Sequence, residues 1–216
     1  AGLAAGLVNG SLIALFRLNP FIVTLASMSA IRGLTLIITK GIPISGFPEG
    51  FTWFGSGTVG IFPVPVVIAG LVALLGAFVL YNTKIGYYAL AMGGNEQAVR
   101  LCGVSTATYK VIVYMLGALA AALAGLVLTA RLNSADPTAG YMMELDAIAT
   151  AVLGGTSLRG GKGSIGGTVL AGLLLAVVNN GLTLHGIASY YQQLTTGLII
   201  LATVLATEVK TRTGGD

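Results

Sequence analysis

The sequence predicts an all-α, polytopic transmembrane helix bundle of about six to seven membrane segments, and three observations carry that expectation. Hydrophobic residues fill 55% of the 216 positions and charged residues only 8%, against roughly 25% charged in a soluble domain. The mean hydropathy is +0.91. Apolar runs close to the ~20 residues that cross a bilayer recur along the chain, separated by short polar connections. A single transmembrane domain over residues 1–216 follows, with a short helix expected in one polar connection.

Taken in order, the segments are 1–16, 21–39, 63–81, 109–130, a shorter 145–153, 165–182 and 190–207. The first opens on Ala1 inside an apolar run, without a basic leader, so spans are expected upstream of it. It carries Gly2, Gly6 and Gly10 as a double GxxxG, and the fourth carries Gly117, Ala121 and Gly125. Such stripes let helix backbones approach closely, around either a path or a dry core. The second segment holds Arg32 about two-thirds along. Between the second and third, Phe51, Trp53 and Phe54 lie among glycines and prolines and suit a membrane interface.

The basic residues fix an orientation. If Arg17 is cytoplasmic and each segment crosses once, then Lys84, Arg100, Lys110, Arg159, Lys162, Lys210 and Arg212 are cytoplasmic as well, while Lys40 and Arg131 face out. Eight against two is a positive-inside bias that puts the C-terminus in the cytoplasm. The net charge of +4 is spread over short connections, not gathered into an aromatic-rich patch, which argues against nucleic acid. Cys102 is the lone cysteine, so no internal disulfide is expected, and no His/Cys cluster suggests a metal. Asp136, Glu144 and Asp146 have no nucleophile or His near them in sequence. The last two are expected to open a helix, and His185 to sit in a turn.

A polar island, residues 93–103, separates two apolar runs. Asn95 is a favoured N-cap, Glu96 suits the positive end of a helix dipole, and Gly103 offers a C-terminal stop. Ser105 or Thr106 can then cap the next span. These signals predict a helix over 96–101 lying outside the membrane on the cytoplasmic side. Capping alone suits a connector as well as a docking element.

That island, the span after it, and the run Ala151-Val152-Leu153-Gly154-Gly155-Thr156-Ser157-Leu158-Arg159-Gly160-Gly161-Lys162-Gly163-Ser164 resemble the permease subunit of bacterial ABC importers for ribose, xylose and related simple sugars. Leu18-Asn19-Pro20-Phe21-Ile22-Val23-Thr24-Leu25 and Asn179-Asn180-Gly181-Leu182 extend the resemblance over nearly the whole chain. The wider superfamily includes branched-chain amino acid permeases. The resemblance implies that the island is a coupling helix seated on a separate ABC ATPase subunit, with Gly94, Asn95, Glu96, Ala98, Arg100 and Gly103 at the joint. It also implies an extracytoplasmic sugar-binding protein, a second permease copy, and the bacterial cytoplasmic (inner) membrane. No cofactor is expected on this chain, because ATP and magnesium belong to the partner ATPase.

Gly161, Gly163 and Gly166 satisfy GxGxxG, but no βαβ unit surrounds them, and Lys162 is followed by Gly163 where a phosphate loop needs Ser or Thr. A tight turn between spans is the expectation there. The polar groups within the spans are the candidate substrate pathway: Asn9, Thr24, Ser27, Arg32, Asn179 and Asn180. Each has a competing role: helix–helix bonding for the amides, bonds to the helix's own backbone for the hydroxyls, and snorkelling for Arg32. Neutral amides and hydroxyls suit a sugar, whereas an amino acid's carboxylate would favour a helix N-terminus or a cation. Ion-coupled secondary transport is disfavoured, since no carboxylate is clearly placed within a span.

Overall fold

A computed structural model describes residues 1–158, 160–188, 191–192, 194–199 and 201. The fold is all-α. The helices whose residues are all described are α1 (Gly2–Phe16), α2 (Pro20–Thr39), α3 (Glu49–Ser56), α4 (Val64–Asn82), α5 (Lys84–Leu101), α6 (Thr106–Leu132), α7 (Met143–Leu153) and α8 (Ile165–Leu184). Among the described residues, α2, α4, α6 and α8 are long and apolar enough to cross a membrane, while α1 is a shorter apolar helix. Half of the expected segment at 190–207 lies outside the described residues, as do Arg159, Lys210 and Arg212. The chain divides into two compact units, Ala1–Gly140 and Tyr141–Asp216.

The first unit is organised on α6. Helix α1 packs along it, and the residues in register show an antiparallel pair: Gly2 lies against Ala118 and Ala122, Gly6 against Tyr114 and Met115, and Gly10 against Val111. A β-carbon on Gly6 would sit 2.7 Å from the Met115 Cα and the Tyr114 carbonyl oxygen. The double GxxxG therefore brings two backbones together, as its spacing predicts. The stripe read on the partner is displaced: Gly117 and Gly125 have nothing within 4 Å, and Ala118 and Ala122 make the contact instead. One residue of displacement turns a stripe about 100° around a helix, so neighbouring small residues at the same spacing serve different faces.

The connection 40–63 was expected only as an aromatic-bearing loop, yet it carries α3 and two short strand pairs. Strand β1 (Ile44–Ser45) pairs antiparallel with β4 (Ser134–Ala135), and β2 (Thr58–Val59) with β3 (Phe62–Pro63). The Asn133 side chain accepts a hydrogen bond from the Phe47 backbone N–H at 3.1 Å. Gly55 is buried against the backbone of Ala130 and Arg131, which lets α3 lie directly on the end of α6. Asp136 closes an Asx turn there, accepting from the Thr138 N–H and hydroxyl, both at 2.7 Å. Those bonds hold its carboxyl below the usual range and occupy it structurally.

In the second unit, α7 and α8 form a hairpin. Glu144 and Asp146 fall in the first turn of α7, as expected. Gly154 and Gly167 meet backbone to backbone, Ser164 caps α8 by accepting from the Gly167 N–H at 3.1 Å, and Gly155, Gly160 and Gly161 take positive φ. The GxGxxG run is thus a tight turn closed by glycine contact. His185 ends α8, its Nδ1 2.8 Å from the Gly181 carbonyl oxygen.

Candidate functional site

The island helix forms where its capping residues place it. Helix α5 begins one residue after α4 ends, at Thr83, and Gly86 is buried against the Leu80 carbonyl so that the chain turns back sharply. The helical stretch 84–94 was not anticipated, because its apolar run is short and broken by Tyr87, Tyr88 and two glycines. At Asn95 the backbone becomes extended (φ −153°, ψ 98°), and the helix restarts as residues 96–101. The Asn95 side-chain oxygen accepts from the Ala98 N–H at 3.0 Å, the N-cap bond its position predicts. Gly103 (φ +80°) ends the helix, its N–H donating to the Arg100 carbonyl at 3.0 Å. Gly94 faces open space.

Ser105 occupies the N-cap position of α6, but its hydroxyl pairs with that of Thr108 at 2.9 Å and leaves the backbone amides uncapped. The island is fastened to α6 differently. Both carboxylate oxygens of Glu96 lie 2.7 Å from the Lys110 Nζ. The hydrogen bond from Lys110, more than any other influence, holds the Glu96 carboxyl below the ordinary Glu range, with Thr106 and Arg100 assisting. Lys110 was read as a topology marker alone. A cap at Ser105 or Thr106 puts it about one turn into the span, but nothing in the sequence signals that it comes within reach of the island's first residue.

The island's outer surface is open: Glu96, Gln97, Ala98, Arg100 and Cys102 are all exposed. Leu101 is 89% exposed at the helix end. Scattered exposed leucines are ordinary, and Leu101, like Leu158, is one that lies in a polar connection outside the apolar spans. It escaped the sequence reading because it looks like the last apolar residue of a helix turned inward.

The pathway candidates divide between the two units. Asn9 lies on α1 beside Gly10, and its Oδ1 is buried without a hydrogen-bond partner among the described residues. On α2, the Thr24 hydroxyl donates to the carbonyls of Pro20 (2.9 Å) and Phe21 (3.2 Å), and the Ser27 hydroxyl to that of Thr24 (3.0 Å). Both protons serve the helix backbone, leaving only oxygen lone pairs to offer a ligand. Arg32 is half-buried on the same helix and engaged with a neighbouring group. Asn179 is half-buried and Asn180 exposed on α8. The Asn19-Pro20 pair has a local explanation: Asn19 caps α2 by accepting from the Phe21 N–H at 3.0 Å, and Pro20 fills the first helical position.

Comparison with known proteins gives these elements a context. The chain is 48% identical over 213 residues to the ribose import permease protein of Escherichia coli (strain K12), covering 97% of this chain and 66% of that protein. It is 47% identical over 199 residues to the ribose import permease protein of Bacillus subtilis (strain 168), covering 91% and 62%. It is 39% identical over 204 residues to the D-allose transport system permease protein of Escherichia coli (strain K12), covering 94% and 62%. The sequence thus spans just under two thirds of the length of these relatives. No solved structure matches it. Residues 1–204, which include both units' helices and the island, match the family described as branched-chain amino acid transport system / permease component, and the chain belongs to that family.

Proposed function

We propose that this chain is the membrane-spanning part of an ATP-driven importer for a simple sugar of the ribose, allose or galactose class, and that helix 96–101 couples it to a separate ATPase subunit. The observation that carries the coupling role is the island's construction: capped at both ends, tied to α6 by Glu96–Lys110, and open on the outside. A joint that transmits movement needs both stiffness and an unoccupied face. In this reading Asn95 and Gly103 fix the helix, Glu96 holds it to α6, and Gly94, Ala98, Arg100 and Leu101 meet the partner. The chain carries no covalent chemistry. ATP and magnesium act on the ATPase, which biases the membrane helices between outward- and inward-facing states.

A sugar is favoured over a branched-chain amino acid because relatives named for ribose, allose and galactose match most of the chain. Asn9, Thr24, Ser27, Arg32, Asn179 and Asn180 are the proposed pathway groups, and the unpartnered Oδ1 of Asn9 suits a sugar hydroxyl. The protein works as a multi-pass component of the bacterial inner membrane, with the island and C-terminus in the cytoplasm, a second permease copy alongside, and an extracytoplasmic sugar-binding protein delivering substrate. The test is uptake by proteoliposomes holding the full-length permease with its ATPase and binding protein. Labelled ribose should enter with ATP hydrolysis, labelled leucine should not, and Glu96→Ala with Arg100→Ala should abolish coupling. Leucine uptake, or full coupling in the double variant, overturns the reading.

A further inference from the structure

Beside the island, α5 and the start of α6 enclose an open groove of about 580 Å³. It is lined by Lys84 and Tyr88 of α5 and by Thr108, Tyr109 and Ile112 of α6, with Ser105 from the turn between them. We propose that this groove binds the headgroup of an anionic phospholipid in the leaflet that faces the island.

Position and charge carry the argument. Lys84 follows the 19-residue apolar helix α4 by one residue, so the boundary of the hydrocarbon layer falls at the groove itself. Tyr88 and Tyr109 pack there with ring centroids 4.7 Å apart and planes tilted by 55°, in the place where amphipathic rings meet headgroups. Lys84 is exposed and makes no ion pair or hydrogen bond among the described residues. The carboxylate that would otherwise neutralise it, Glu96, is the only one between residues 84 and 112 and is held by Lys110. The groove therefore presents an uncompensated ammonium to a phosphate, beside two tyrosine side chains. Ile112 and the tyrosine rings supply the apolar wall that a glycerol backbone and acyl chains need and a free phosphate does not. A lysine close to the cytoplasmic membrane surface is attracted to the anionic lipid of that leaflet.

The test is native mass spectrometry of the full chain released from nanodiscs of phosphatidylethanolamine with and without phosphatidylglycerol. The wild type should retain phosphatidylglycerol. Lys84→Gln should retain about fivefold less, the size expected for one lysine near a charged surface, whereas Lys84→Arg and Lys40→Gln should retain it normally. Equal retention in Lys84→Gln overturns the proposal. So does displacement of the lipid by millimolar inorganic phosphate, which would make phosphate the ligand. A third overturning result is loss of ATPase assembly in Lys84→Gln within membranes lacking anionic lipid, which would give the groove to the partner protein.

Discussion

The α1–α6 seam and the island at 93–103 lie in one unit and depend on opposite kinds of fit. Along the seam, Gly2, Gly6 and Gly10 hold two backbones so close that no side-chain atom can be added without moving a helix. In the island nearly every residue is exposed, and the fold rests on one cap, one glycine stop and one ion pair. The seam is specified by contact and the island by local chemistry. Damage to the first should therefore spread through the unit, while damage to the second should stay local.

The sharpest way to break this contrast is Gly6→Leu. With the Met115 Cα and Tyr114 carbonyl 2.7 Å from the first added carbon, α1 must leave α6, and the expected loss is about 3 kcal/mol or more. Thermal unfolding in detergent micelles measures it. Gly117→Ala is the companion, on a face with nothing within 4 Å, and should be neutral or slightly stabilising because Ala suits a helix interior better. Equal effects from the two would mean that the seam is not the organising contact.

A similar sensitivity is expected where backbone meets backbone in the second unit. Gly154→Ala pushes a methyl into the amide of Thr168 and the carbonyl of Gly167, so α7 and α8 must separate. About 1–3 kcal/mol should be lost. Gly155→Ala tests a different cause, since its neighbourhood is empty but its φ of +90° strains any L side chain. Protease accessibility of the 154–167 turn compares the two, and Gly154→Ala should be the more damaging.

Within the island, Asn95→Ala removes the oxygen that accepts from the Ala98 N–H, and about 1 kcal/mol of local stability goes with it. Faster hydrogen exchange confined to residues 96–101, with an unchanged global melting temperature, is the expected result. Slower exchange, or a fall in the global melting temperature as large as that of Gly6→Leu, would erase the distinction between seam and island.

What was legible in the sequence follows the same division. Hydropathy gave α2, α4, α6 and α8 to within a few residues, and the caps of the island were read correctly because both signals are local: an Asn before a helical run, a Gly after it. The GxxxG spacing on α1 announced a close packing, but its partner stripe could not be chosen, since Gly117 and Ala118 differ only by a rotation that tertiary contact decides. For the same reason the docking of α3 on α6 through Gly55, the β1–β4 pairing and the Glu96–Lys110 bridge were missed. Each depends on residues brought together from separate stretches, and Glu96 has Arg100, four residues on, as an equally plausible partner by sequence spacing. The proposed pathway residues are the least legible, because a hydroxyl in a span bonds its own backbone as readily as a ligand, and in Thr24 and Ser27 it does so.

The smallest expected effect is the most specific to the island. Glu96 has a carboxyl held below its ordinary value of 4.5, chiefly by Lys110. A group whose folded pKa is depressed stabilises the fold above its unfolded pKa and stops doing so as pH falls through the folded one. The bridge is therefore fully formed at neutral pH and weakens only on the acid side of 4.5. Glu96 is 45% exposed and Lys110 28%, so solvent screening limits the contribution to a few tenths of a kcal/mol. Hydrogen exchange at residues 96–101 should show an acid-side loss of protection, after correction for intrinsic exchange, and a similar loss in high salt. Lys110→Gln should remove both dependences while leaving the Asn95 cap in place. If the acid step survives in that variant, Glu96 is held by Arg100 and Thr106 instead, and the island is not tied to α6 through its charge.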